Sequence, residues 1–195
     1  VDANAEGDVI KLAEGLPFFD AETEGNPHLW LDPRLGARYI ETIRDALIAV
    51  DPAGAGAYHG NAAAYLDALG QLDAEMGQAI AAIPAERRKL VTFHDAYAYL
   101  ASRYGLEVVA VVAPSPGQEP SARAVAELVQ AIRDEGVPAV YTEPQFNSDV
   151  LDRAADEAGV RVLDLLSDAY AHGVDSYIGL LRYDLEQLKE GLGGD

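Results

Sequence analysis

The chain has no cysteine among its 195 residues. Disulfide scaffolds, thiolate metal sites and cysteine nucleophiles are excluded with it. No run of about 18 apolar residues occurs, so no stretch reads as a membrane-spanning helix. Basic residues are few: 14 Lys and Arg stand against 33 Asp and Glu, a net charge of −19 at pH 7. A chain of that sign repels nucleic acid and anionic lipid. It is compatible with cation binding, although the same charge also serves solubility alone. There is no phosphate-cradling GxxxxGK[ST], no GxGxxG after a strand, no HExxH and no GxSxG. The opening VDANAEGDVI shows no signal-peptide pattern, which leaves open whether a signal was removed or was never there.

What is there is an ordinary globular mixture, 49% apolar and 24% charged, which rules out disorder and low-complexity fibre. The length suits one domain or two small lobes. The first thirty residues are acidic and loop-rich, with one weak helical stretch at Val9–Glu14. Residues 33–50 read as a helix, capped by Asp32, opened by Pro33 and stopped at Asp51-Pro52. From Gly54 to Ile83 runs an alanine-rich segment. In it Tyr58, Ala62, Tyr65, Leu69, Leu72, Met76 and Ile80 recur at three- and four-residue steps, giving one apolar stripe. A helix of that span is about 45 Å long, and its length marks it as a connector rather than a core element.

After Pro84 the pattern changes. Strands are expected at Lys89–Phe93, Leu106–Val112, Pro138–Thr142 and Arg161–Asp164. Helices are expected at Asp95–Arg103, Ser121–Glu135, Ser148–Ala158 and Asp175–Gly191. Alternation of this kind implies an α/β fold with a parallel sheet covered on both faces. The expected organisation is 1–53, then a long helix over 54–83, then a compact α/β lobe over 84–195.

Histidine is scarce, which makes the placement of His28, His59, His94 and His172 informative. His94 directly follows the first expected strand, Glu143 the third, and Asp168 lies in the loop after the fourth. In a parallel sheet all three meet at the carboxyl edge, where open α/β sheets bind ligands. An imidazole with two carboxylates suits zinc or manganese. The same residues also read as a core histidine and two helix caps. His28 sits in NPHLWLDP, where Pro27, Trp30 and the Asp32-Pro33 cap hold the backbone, either for a metal ligand or for packing beside Trp30. His59 is expected on an exposed helix face. His172, in the loop AYAHGVD, is a further candidate beside Asp168.

Four segments in order, NPHLWLDP, IPAERRKLVTFHDAYAYLASRYGL, VYTEPQFNSDVLDRAADEAGVRVLDL and LLSDAYAHGVDSYIGLLRYDLEQLKEGL, resemble the zinc/manganese solute-binding proteins of bacterial ABC uptake systems. The resemblance runs from about Gly15 to the C-terminus. It implies a two-lobed fold bridged by one long rigid helix, with the metal between the lobes. Residues 1–53 then belong to a first lobe that is largely missing from this chain, and the long helix is the bridge. The family's metal ligands fall on His28, His94 and Asp168. Glu143 matches a cleft position that is not usually a ligand, where it orients His94 or balances charge. The family's first histidine is expected upstream of Val1, so this chain is expected to represent part of a longer protein. Two other departures are Asp184, where asparagine is frequent, and the short acidic DAETEG stretch, where zinc-specific members carry a histidine-rich loop.

The resemblance implies a periplasmic or membrane-anchored extracellular protein that is not an enzyme. It captures a divalent cation, zinc by ligand softness with manganese as the alternative, and delivers it to an ABC permease. A metallochaperone is a second candidate partner, and a monomer is the default state. Two other classes compete. One is a metal-dependent hydrolase using Glu143 as general base on a metal-bound water. The other is a surface adhesin with a structural metal.

Overall fold

The structure, a computed structural model, describes residues 9–16, 25–113 and 121–193. Residues 33–50 form helix α1 (Pro33–Val50). The Asp32 carboxylate accepts the Arg34 N–H and Pro33 opens the first turn, as expected of such an entrance. Helix α2 (Ala55–Ala82) follows at once. Then come β1 (Lys89–His94), α3 (Ala98–Tyr104), β2 (Glu107–Ala113), α4 (Ala122–Asp134), β3 (Ala139–Thr142), α5 (Asp149–Ala158), β4 (Arg161–Asp164) and α6 (Tyr177–Leu192).

Among the described residues all three strand pairings are parallel, in the order β2-β1-β3-β4. The chain moves outward from β1 to β2 and then returns to β3 on the other side of β1. This reversal opens a crevice beyond the carboxyl ends of β1 and β3, the usual ligand position in such sheets. Alternate strand residues feed two cores. Leu90, Ala139 and Tyr141 pack with α2, α3 and α6. Val91, Phe93 and Val140 pack with α4 and α5. The period-two alternation of a pleated strand divides them.

Three expectations are corrected. The long helix, expected as a connector rather than a core element, is a core element: Leu69, Leu72, Met76 and Ile80 are buried in the same core as Leu90, Tyr97 and Leu185. Its stripe supplies the tertiary packing that keeps a helix with glycines at 56, 60, 70 and 77 in place. The Val9–Glu14 stretch forms turns, with Glu14 N–H on Lys11 O and Leu16 N–H on Ala13 O. Val9 and Ile10 stay exposed, so no buried face supports a helix there. The helix expected from Asp95 begins at Ala98 instead, because the chain first turns at His94, whose carbonyl accepts the Ala96 N–H and the Thr92 hydroxyl.

Gly70 lies on the exposed side of α2 with nothing near a prospective Cβ. Gly70→Ala is expected to stabilise the chain by about 0.5–1 kcal/mol, the usual cost of a mid-helix glycine. Urea denaturation with an unchanged slope checks it.

Candidate metal centre

His94 is the last residue of β1 and Glu143 directly follows β3, so both stand at the crevice. Asp168 comes from the irregular segment between β4 and α6. His28 arrives from 66 residues upstream of His94, as the residue that opens the short 3-10 turn Leu29–Leu31 before α1. The structure brings His28, His94 and Asp168 together: His28 Nε2 lies 3.2 Å from His94 Nε2, and the Asp168 Oδ2 is 3.6 Å from the first and 3.8 Å from the second.

Hydrogen bonds on the far side of each ring fix the tautomers. The Asn26 side-chain N–H donates to Asp95 O at 2.9 Å, so its oxygen faces His28. That oxygen is 2.8 Å from His28 Nδ1 and also accepts the His28 backbone N–H at 3.1 Å. An amide oxygen only accepts, so Nδ1 carries the proton. On His94, Nδ1 lies 2.5 Å from the Glu143 Oε1, and the same reasoning places its proton there. With both rings neutral, their Nε2 atoms 3.2 Å apart present lone pairs to one point, with a carboxylate oxygen as the third acceptor. A cation satisfies all three. An ion in the plane of these atoms and equidistant from them would sit roughly 2.1 Å from each, the length of a zinc–imidazole bond.

The charges agree with this. His28 and His94 are buried, and Glu143 is 1% exposed. The Glu143 carboxylate is held on its other oxygen by the Ser167 hydroxyl and by the Gln145 side-chain N–H at 2.9 Å. Asp168 forms the mouth, with its side chain 44% exposed. The two carboxylates balance the charge of one divalent cation. Burial pushes the His28 imidazole below its ordinary value, against the pull of Asp168, so the ring is in its ligating neutral form at pH 7.

Of the other histidines, His59 is exposed on α2. His172 does not join the cluster. Its Nε2 lies 2.9 Å from the Asp164 carboxylate and its ring stacks on Tyr183. It is the only non-glycine residue at positive φ among those described. Sequence reasoning passed over Asn26, Gln145 and Ser167. The asparagine two positions before His28 was the one local signal, since such a side chain reaches the backbone two residues on. The DAETEG stretch falls almost wholly outside the described residues.

Asp184 of α6 holds the loop from behind. Its Oδ1 accepts the Leu166 N–H at 2.8 Å, while Oδ2 has no partner among the described residues. Complete burial raises this carboxyl well above the ordinary carboxylate range. A raised folded-state pKa means that the unfolded chain releases its proton first. Stability from this group is therefore whole at pH below the unfolded value, near 4, and declines as pH rises toward the folded one. Asp184→Asn keeps the acceptor and removes the titration. It is expected to raise Tm at pH 7 by at least about 2–4 °C, or about 1 kcal/mol for a chain of this size. The gain should fade as the pH approaches 4, which thermal scans across pH would show.

Residues 1–191 match the protein family described as zinc-uptake complex component A, periplasmic. The chain belongs to that family. It is similar to the manganese-binding lipoprotein MntA of Halalkalibacterium halodurans, with 29% identity over 98% of this chain and 66% of MntA. It is also similar to the iron-binding protein YfeA of Yersinia pestis, with 34% identity over 91% of this chain and 59% of YfeA. The structure of the laminin-binding protein Lbp of Streptococcus pyogenes superposes with a TM-score of 0.82 at 28% identity, covering 95% of this chain and 71% of that one. The chain thus spans about three fifths to two thirds of the length of these two curated relatives.

Proposed function

We propose that this chain captures a divalent metal ion as cargo outside the cytoplasm and passes it to an ABC permease. His28 Nε2, His94 Nε2 and Asp168 are its ligands, and Glu143 orients His94 and balances charge. The observation that carries this reading is the convergence of His28 Nε2, His94 Nε2 and an Asp168 carboxylate oxygen within 3.8 Å of one another. Two imidazoles with one carboxylate favour zinc, and manganese is the alternative. The relatives support the metal class without choosing within it, since one is named for manganese and another for iron. The organisation that goes with this reading is residues 1–53 from a first lobe, 54–83 as bridge and 84–195 as second lobe. The protein acts as a monomer, with the permease as partner and a metallochaperone as a further candidate.

Less favoured is the hydrolase: a general base must reach a metal-bound water, and both Glu143 oxygens already accept from His94, Ser167 and Gln145. The laminin-binding name of a structural relative favours one other reading, an adhesin with a structural metal. Laminin capture that vanishes in His94→Ala, with metal uptake intact, would favour it.

The test is a competition titration of the metal-stripped chain with zinc and manganese. One tight zinc per chain, with manganese bound more weakly, is the expected result. Absence of saturable binding of either metal would overturn the proposal.

A further inference from the structure

The segment carrying His28 is fastened at each end to the loop of a different proposed ligand. At one end, Asn26 reaches back to the turn after His94: its side chain donates to Asp95 O at 2.9 Å, and its carbonyl accepts the Tyr99 hydroxyl at 3.2 Å. At the other end stands Trp30, the chain's single tryptophan. Its indole N–H donates to Ser167 O at 3.0 Å, the residue before Asp168. Its own carbonyl accepts the Tyr177 hydroxyl at 2.5 Å, from the first turn of α6. Its ring meets the His28 ring edge-on, 5.3 Å between centroids.

Helix α1 is shaped to this arrangement. Gly36 is buried and faces Tyr177, and a Cβ there would collide with the Tyr177 hydroxyl. Asp168 itself is the least constrained member of the cluster. It is half-exposed and lies in irregular backbone between β4 and α6. What fixes its position is therefore the anchoring of its neighbour Ser167, whose hydroxyl is held by Glu143 and whose carbonyl is held by Trp30.

We infer that Trp30 and Tyr177 form a clasp that positions the Asp168 carboxylate against His28 and so sets how long the metal stays bound. Trp30 is a positioning residue, acting on the ion through His28 and the Ser167–Asp168 backbone. The inference rests on the metal-capture reading. It adds to it that the dissociation rate is governed by one indole–carbonyl bond and one hydroxyl–carbonyl bond outside the ligand set. A preorganised site forgoes the cost of ordering its ligands on binding, so loosening the clasp acts chiefly on release.

The experiment is zinc release from the loaded chain into excess chromophoric chelator, for the parent, Trp30→Phe, Tyr177→Phe, His94→Ala and Tyr104→Phe. Trp30→Phe keeps an aromatic ring beside His28 but deletes the N–H. Tyr104→Phe is the control. It deletes a hydroxyl bonded to Asp73 at 2.9 Å, away from the clasp. Release is expected to be roughly fivefold faster in Trp30→Phe and Tyr177→Phe, the share of one neutral hydrogen bond. It should be unchanged in Tyr104→Phe. The visible spectrum of the cobalt-loaded chain should change in the two clasp variants and not in the control.

Release at the parent's rate in both clasp variants overturns the inference. So does equal acceleration in Tyr104→Phe, which would mean general loosening. If Trp30→Phe fails to fold, Tyr177→Phe decides. If the parent binds zinc and His94→Ala does not, a null result in the clasp variants sinks the clasp alone. If the parent binds none, the metal-capture reading falls and the clasp with it.

Discussion

His94→Ala is expected to weaken zinc binding by about a hundredfold or more. Structural zinc sites gain about 10–16 kcal/mol from four ligands, so one imidazole carries roughly 3 kcal/mol. Of the three proposed ligands, His94 is the one whose ring bonds Glu143; its Nε2 lies 3.2 Å from His28 Nε2 and 3.8 Å from the Asp168 carboxylate. Its removal also takes one donor from a carboxylate that is buried and held by three. The metal-free variant is therefore expected to lose about 1–3 kcal/mol of stability, the cost of leaving a buried acceptor short of a partner. His28→Ala should match it in affinity but not in stability. The Asn26 oxygen that His28 releases still accepts the backbone N–H of residue 28. Paired titration and denaturation of the two variants separate these effects.

Glu143→Gln is the second large effect. The amide oxygen can still accept from His94 Nδ1, so the ring keeps its tautomer and its orientation. What goes is a buried negative charge beside the cation. Losing such an outer partner costs about 10–100-fold in metal affinity. The amide nitrogen that replaces Oε2 cannot accept from Ser167 and Gln145, so the metal-free chain is also expected to lose about 1–3 kcal/mol unless those side chains reorient. An unchanged zinc affinity in Glu143→Gln would mean that the carboxylate only packs.

Much of the fold is legible in the sequence because its signals are local. Each strand is a short apolar run closed by glycine, proline or a charged residue, and Arg161–Asp164 falls where the pattern puts it. Asp32 and Ser121 cap the helices they were expected to cap. The strand order is not local. Nothing in the runs themselves says that β3 returns to the far side of β1. The role of α2 escaped for a related reason. Length alone marks a connector, whereas the burial of Leu72 and Met76 depends on α6 and α3 arriving more than twenty residues later.

The site divides the same way. Strand ends carry His94 and Glu143 to one crevice, and Asp168 follows from the next loop. His28 is different. Its position relative to the sheet is fixed by Asn26, Trp30, Tyr99 and Tyr177, through contacts spanning 69 to 147 positions. No periodicity reports such contacts; the residues of NPHLWLDP left a ligand and a packed histidine both open, and the family resemblance chose the ligand. His172, close to Asp168 in sequence, turns away because Asp164 and Tyr183 offer it a charge partner and a stacking face.

The central claim is that one divalent ion is held by His28, His94 and Asp168. Anomalous diffraction at the zinc edge, from crystals of the chain grown with one equivalent of zinc, tests it most directly. The account predicts one strong peak about 2.0–2.2 Å from His28 Nε2, His94 Nε2 and an Asp168 carboxylate oxygen. A peak at the Asp164–His172 pair instead, or no ordered peak in the crevice, would contradict it.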